Sequence, residues 1–314
     1  MGIAELGDGC LIVQMKRITV CLILVLSAQQ RVGAQFIWQT LNAPVGVDTV
    51  LNGIDNGNIV GSYYDGSSGN PFVRSFLYSS NNWTFLDVPG AIYTDAKDIS
   101  GSKIVGAYRT GNTFSQQHYG FIYENGIYTT LSEDWAEAYG IDGNNIVGSN
   151  GSSFLLNNGQ YDFFNSPFKT GPDVGSGATG ISGSTIVGYA WGGSNPINGY
   201  IKNGSNFSLL EMPGAHSTEP QDIQGSTVVG VVYTDNTFTS SKGFLYDGTN
   251  WTLLEMPGAT STRANGIDGN TIVGDYTDSN GVINGFILTI PEPSAVSLFA
   301  VGLGGLAMMR RRRA

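Results

Sequence analysis

Residues 266–276, reading Gly-Ile-Asp-Gly-Asn-Thr-Ile-Val-Gly-Asp-Tyr, return in recognisable form five more times in this chain, at 53–63, 98–108, 140–149, 180–189 and 222–232. The glycine of the Ile/Val-Val-Gly core falls at Gly61, Gly106, Gly148, Gly188, Gly230 and Gly274, so the copies lie 45, 42, 40, 42 and 44 residues apart. Such a period marks an array of one supersecondary unit that buries its apolar face only against its neighbours.

Two further motifs follow the first. Gly-Phe/Tyr-Ile/Leu-Tyr appears as Gly120-Phe121-Ile122-Tyr123, Gly199-Tyr200-Ile201 and Gly243-Phe244-Leu245-Tyr246. Trp-Thr-x-Leu-x-x-Pro-Gly-Ala appears at 83–91 and 251–259, with a variant at 207–215. Each repeat therefore holds four short β-branched or aromatic runs separated by Gly, Asn, Asp and Ser. Four strands in about 42 residues make one blade of a β-propeller. The expected fold is all-β, a six-bladed propeller of four-stranded blades, with a linear β-solenoid as the alternative. The 45 glycines and the 13% share of charged residues agree with a turn-rich β chain.

The two ends of the array complement each other. Residues 36–41 and Pro44 align with the third motif, Trp38 on Trp83, Leu41 on Leu86 and Pro44 on Pro89, but no first or second motif precedes them. The sixth repeat runs from Gly266 through Gly285-Phe286-Ile287-Leu288 and lacks a Trp-Thr-x-Leu strand. The N-terminal strand is thus expected to complete the last blade and remove the edges that an open array exposes. First-to-second connections such as Asp268-Gly269-Asn270 are tight, whereas second-to-third ones (64–74, 109–118, 190–198) are longer and differ among repeats. The fourth-to-first connections are long as well. In an up-and-down blade both long classes emerge on one face, where a binding site is expected.

Met15-Lys16-Arg17 with apolar residues 18–28 reads as a secretory signal peptide starting at Met15, cleaved after Ala34 or alternatively Ala28. The chain then divides into a presequence (1–34), the six-repeat body (35–290) and a C-terminal tail (291–314). Cys10 and Cys21 are the only cysteines and leave with the presequence, so the body is expected to hold no disulfide. That body has 22 Asp/Glu against 8 Lys/Arg, a net charge of −14, which makes nucleic acid and anionic lipid poor partners.

The repeated Asp-Gly-Asn offers oxygen ligands to calcium, but no copy has the acidic spacing and distal Glu of an EF-hand loop, and Ser100-Gly101-Ser102 and Ser182-Gly183-Ser184 replace the acids in two copies. The pattern reads as turns. His118 and His216 are the only histidines, too few for a His-based zinc site. No metal and no cofactor is expected. Glycosidase propellers need paired carboxylates or, in sialidases, an arginine cluster with Asp boxes. The body has only Arg74, Arg109 and Arg263, and Tyr246-Asp247-Gly248-Thr249-Asn250-Trp251 has the wrong Asp-to-Trp spacing for such a box. A non-catalytic binding or structural role is the reading, with a carbohydrate-active enzyme using Glu133, Asp134 or Glu137 as the alternative. Acids clustered round a deep central pocket would favour the enzyme, and a flat polar face with exposed aromatics would favour binding. In the loop 131–138 acids and Trp135 replace Pro-Gly-Ala. Trp135, Trp191, Tyr63, Glu133 and Glu137 are the candidate ligand-binding residues, the aromatics as platforms for sugar rings, set against plain packing between blades.

At the C-terminus Pro291-Glu292-Pro293 precedes 16 uncharged residues and then Arg310, Arg311, Arg312 and Arg313, a short membrane-spanning helix stopped by positive charge. In order, composition and position this resembles the PEP-CTERM sorting signal of Gram-negative bacteria. The resemblance implies export by Sec-type machinery, transient anchoring in the inner membrane, and cleavage near Pro291, Glu292 and Pro293 by an exosortase-like transpeptidase. The repeats resemble HAF-type extracellular repeats, which implies location and architecture but no reaction. Blade three departs from the pattern at Asn150-Gly151-Ser152 and Tyr161-Asp162-Phe163-Phe164. The expected function is that of a cell-surface or extracellular-matrix propeller recognising exopolysaccharide.

Overall fold

A computed structural model describes residues 36–66, 73–111, 118–133, 135–171, 173–192 and 196–290. The presequence, the sorting-motif residues Pro291, Glu292 and Pro293, the helix and the stop-transfer residues Arg310 to Arg313 lie outside the described residues. The described body forms one compact unit, Trp38–Thr289.

Trp38–Thr289 is a β-propeller of six four-stranded antiparallel sheets. Strand β1 (Ile37–Thr40) stands before the first blade, which is β2 (Val47–Asp55), β3 (Asn58–Tyr64), β4 (Val73–Ser79) and β5 (Asn82–Leu86). Blade two is β6 (Tyr93–Ser100), β7 (Lys103–Arg109), β8 (His118–Glu124) and β9 (Ile127–Thr130). Blade three is β10 (Glu137–Asp142), β11 (Asn145–Ser149), β12 (Ser153–Asn157) and β13 (Gln160–Phe164). Blade four is β14 (Gly175–Ser182), β15 (Thr185–Trp191), β16 (Asn198–Asn203) and β17 (Asn206–Leu210). Blade five is β18 (Ser217–Gln224), β19 (Thr227–Tyr233), β20 (Ser241–Tyr246) and β21 (Trp251–Leu254). Blade six is β22 (Ser261–Asp268), β23 (Thr271–Thr277) and β24 (Ile283–Thr289), with β1 as its outer strand in the order β1-β24-β23-β22. The innermost strands β2, β6, β10, β14, β18 and β22 neighbour one another in a closed cycle.

The motifs have a packing cause. The aromatic of each Gly-Phe/Tyr motif, Phe76, Phe121, Phe154, Tyr200, Phe244 or Phe286, is fully buried against the glycine of the Ile-Val-Gly core. A Cβ on Gly274 would come 1.9 Å from the Arg263 carbonyl and 2.8 Å from the Phe286 ring. No side chain fits there. Trp83 and Trp251 then pack on Phe76 and Phe244 with ring centroids 4.8 and 5.1 Å apart. In blade six that place is taken from outside the repeat, by Trp38 of β1, 4.9 Å from Phe286. The expected closure by the N-terminal strand is the one observed, and the Leu41 N–H donates to Gly285 O at 2.9 Å.

The Asp-Gly-Asn turns also have a structural use. The last side chain of each innermost strand accepts a backbone N–H from the first turn of the following blade. Asp55 takes it from Gly101 (2.6 Å), Ser100 from Gly143 (3.0 Å), Asp142 from Gly183 (2.6 Å), Ser182 from Gly225 (3.0 Å), Gln224 from Gly269 (2.6 Å), and Asp268 from Asn56 (2.8 Å). The six bonds run round the whole ring. An acceptor is all that the position requires, which is why Ser and Gln stand beside Asp.

Candidate functional site: the axial cavity

Each innermost strand carries a β-bulge at the same place, at which the pairing register slips past Asn52, Lys97, Tyr139, Thr179, Gln221 and Asn265, and β2 has a second shift at Asp48. A bulge leaves its extra residue out of the ladder and re-aims the side chain. All six bulged residues line one cavity of about 520 Å³ on the propeller axis. Two positions earlier the same strands contribute Val50, Asp95, Glu137, Glu219 and Arg263, and β23 adds Asp275. The rim includes Tyr64, Val73, Tyr93 and Ile283, at the ends of the second-to-third and fourth-to-first connections, so the cavity opens on the long-loop face. Its volume lies in the range of small-molecule sites, roughly 300–1,000 Å³.

Three of the four carboxylates are engaged by neighbours. Asp95 receives Lys97 Nζ at 2.6 Å, Tyr93 Oη at 2.8 Å and Asn52 Nδ2 at 2.9 Å. Glu137 receives Tyr139 Oη at 2.8 Å on one oxygen and meets His118 Nδ1 with the other. Asp275 receives Asn265 Nδ2 at 2.9 Å and has Arg263 Nε at 4.0 Å. The fourth, Glu219, is 9% exposed and has neither hydrogen bond nor ion pair among the described residues. Burial raises the Glu219 carboxyl above its ordinary value, with Arg263 opposing, and burial likewise raises Asp275 against Arg263. Burial alone would lower the Lys97 ammonium, yet Asp95 and Glu137 hold it above its usual value.

Asp134 lies outside the described residues; of the other candidates singled out from sequence, the structure brings only Glu137 into the cavity wall. Trp135 is 50% exposed, has φ +62°, and stacks 6.2 Å from the His118 ring that touches Glu137. Trp191, half-buried at the end of β15, lies over Gly175 and 5.7 Å from Tyr189. Glu133 is half-buried in the loop before Trp135, where its carbonyl accepts the Ala136 N–H at 3.4 Å. Tyr63 is 8% exposed, in the hydrophobic core beside Phe85. The bulge residues escaped sequence reasoning, although a signal exists. Aligning the repeats on Gly53, Asp98, Gly140, Gly180, Asp222 and Gly266 puts the cavity residues in two columns, one and three places earlier, where polar residues differ from blade to blade.

At the opposite, tight-turn end the axis holds a recess of about 140 Å³ lined by Asp98 and Asp222. Among the described residues no group of three or more His, Cys, Asp or Glu is arranged to hold a metal ion.

Fold and site define a closed six-bladed propeller with a polar axial cavity. Residues 289–313 match the model of the PEP-CTERM protein-sorting motif, which implies export and membrane-associated sorting by an exosortase-type partner. No curated protein matches the chain. Among solved structures, the β-propeller domain of the Trilobed protease from Pyrococcus furiosus aligns at TM-score 0.49 and 10% identity, over 81% of this chain and 98% of that one. Pyrococcus horikoshii acylaminoacyl peptidase aligns at TM-score 0.46 and 10% identity over 77% of this chain and 44% of that one. Trypanosoma rangeli sialidase aligns at TM-score 0.46 and 12% identity over 83% and 55%. This chain thus spans about half the length of the last two, and likeness at this level says nothing of activity.

Proposed function

We propose that this is an exosortase-sorted surface or extracellular-matrix propeller that binds the hydroxyl-rich end of an exopolysaccharide in its axial cavity without cleaving it. The match of residues 289–313 supports the delivery, with Sec-type export and transient inner-membrane anchoring as its route, and the likeness of the repeats to HAF-type extracellular repeats agrees. The observation that carries the binding reading is the cavity wall. Each of the six blades contributes a polar side chain through its bulge, of five kinds in all, and tyrosines stand beside them. Convergent donors and acceptors around an aromatic surface suit a sugar ring.

A carbohydrate-active enzyme is the second reading, because four carboxylates gather at a deep pocket. Against it, Asp95, Glu137 and Asp275 are each held by neighbouring donors in the free protein, so no pair of unengaged carboxylates faces the cavity. A glycan array probed with the full chain in neutral detergent, followed by mass analysis of the arrayed sugars, separates the readings. The expected outcome is binding that Gln221→Ala weakens, with every glycan intact. Cleaved products would establish the enzyme, and binding to no glycan would overturn the carbohydrate reading.

A further inference from the structure

Glu219 is the unusual group of the cavity. A buried carboxylate normally finds a donor, because leaving it without one forfeits the hydration it has lost. Asp95, Glu137 and Asp275 have donors and Glu219 has none among the described residues, although its residue is only 9% exposed; its carboxylate oxygens are not fully enclosed and face the cavity. The cavity as a whole is short of positive charge. It counts four carboxylates against Lys97 and Arg263, a net charge of −2. Arg263 is shared, its Nη1 donating to Tyr233 Oη at 3.1 Å and its Nε 4.0 Å from Asp275, while its charge also acts on Glu219.

Between Glu137 on blade three and Glu219 on blade five, the corresponding residues of blade four are Gly177 and Thr179, of which Thr179 lines the cavity. A Cβ on Gly177 would stand 3.6 Å from the Trp191 ring and 3.7 Å from the Tyr139 ring, so aromatic rings cover this stretch of wall, the niche between the two glutamates. Its sides are Tyr139 and Tyr189, both cavity-lining, and their rings lie within electrostatic reach of each other and of Glu137. Burial, with Glu219 and then Glu137 among the charges acting on it, pushes the Tyr189 phenol up to about 12. Carboxylates and the ring quadrupoles of tyrosines both attract an ammonium.

Resting on the cavity-binding reading above, we infer that the niche between Glu137 and Glu219 takes a primary ammonium borne by the ligand, and that the ligand is an amino sugar with its nitrogen unacylated. The ammonium supplies donors to Glu219 and to the remaining lone pairs of Glu137. The sugar hydroxyls meet the polar bulge residues Gln221 and Asn52. Uronate, sialate and phosphate groups are rejected by the net negative wall.

The test compares glucosamine oligosaccharides with their N-acetylated counterparts by calorimetric titration on the full chain in neutral detergent, with 1,4-diaminobutane as a third ligand. The unmodified protein is expected to bind the amine form about tenfold or more tightly than the N-acetyl form, with a preference that weakens as salt is raised. Glu219→Gln is expected to bring the two forms within about twofold, chiefly through loss of affinity for the amine form. Diaminobutane is expected to bind far more weakly than the oligosaccharide, because it lacks the hydroxyls. Equal binding of both oligosaccharides by the unmodified protein, or a preference that salt leaves unchanged, overturns the ammonium assignment and leaves the cavity reading intact. A preference that persists in Glu219→Gln overturns the role of Glu219. Diaminobutane binding as tightly as the oligosaccharide overturns the amino sugar, and binding of none of the three overturns the cavity reading itself.

Discussion

Asp98 and Asp222 occupy the position that is glycine in the other four blades, and blades two and five lie opposite each other across the six-membered ring. Each carboxylate caps two backbone N–H groups, Ile99 and Ile141 for Asp98, Ile223 and Ile267 for Asp222. These bonds favour the ionised form, but burial outweighs them. Asp222 is pushed up to about 6 from an ordinary 3.8, and Asp98, which also feels the Asp222 charge, is raised in the same direction. Because the folded values lie above the unfolded ones, the native state keeps protons that the unfolded chain has released between about pH 4 and 6. Stability is therefore highest at the acid end of that window and falls as pH rises through it. Glu219 and Asp275 titrate in the same sense. The exposed Asp235, Asp247 and Asp278 are lowered by their own turn hydrogen bonds, and their effect falls below the window. Replacing Asp222 by Asn removes one titrating group from the set. The drop in melting temperature between about pH 5 and pH 7 should then shrink, and an unchanged drop would show that this pair is not its source.

At the scale of the strand and its turn, the motifs divide into those whose cause is local and those whose cause lies in register. The Ile-Val-Gly glycine and the Gly-Phe aromatic are readable from sequence because the same collision recurs in all six blades and admits the same two residue types. The turn acceptors are readable only as turns, since Asp, Ser and Gln perform one task with different chemistry. Ser182→Ala removes one bond of the relay and should lower unfolding free energy by about 1 kcal/mol. Ser182→Asp should restore it, and a chelator should leave the melting temperature of all three proteins unchanged. A melting temperature that falls with chelator would instead assign the acids to a metal. The cavity residues were the least legible. Their position is fixed by a one-residue slip in pairing rather than by a residue type, so Lys97, Tyr139 and Gln221 share a place in the fold and nothing in their side chains. Glu137 was found because the loop before it departs from Pro-Gly-Ala. Tyr63 was proposed from its place in a long connection, yet it follows the strand alternation into the core.

At the scale of the whole molecule, closure decides whether six blades behave as one body. The missing outer strand of blade six and the unmatched strand before blade one were visible as a pair of gaps, since a sheet edge left open would expose unpaired backbone groups. In an open array, stability is a sum of unit and nearest-neighbour terms, and the end units fray first. In the ring, β1 ties the start of the chain to β24, through Trp38 on Phe286, Leu41 on Gly285, and Asn42, whose side chain donates to Asn284 at 2.8 Å and accepts the Gly285 N–H at 3.0 Å. Beneath that strap, Gly266 of the last blade packs against Asn52 and Gly53 of the first, and the Asn265 side chain donates to Leu51 O at 3.0 Å. The two contacts are distinct, so they can be separated experimentally. Trp38→Ala leaves the β1 backbone pairing in place and should cost about 1–3 kcal/mol, since Trp38 is a half-buried aromatic anchor, with a single sharp transition retained. Deleting residues 36–41 uncovers β24 as an edge and should broaden the calorimetric transition, with the van't Hoff enthalpy falling below the calorimetric one as terminal blades open first. The same deletion should promote self-association through the bare edge, measurable by light scattering. A deletion variant that melts as sharply as the full ring would place cohesion in the blade-to-blade packing around the axis and reduce β1 to a cover.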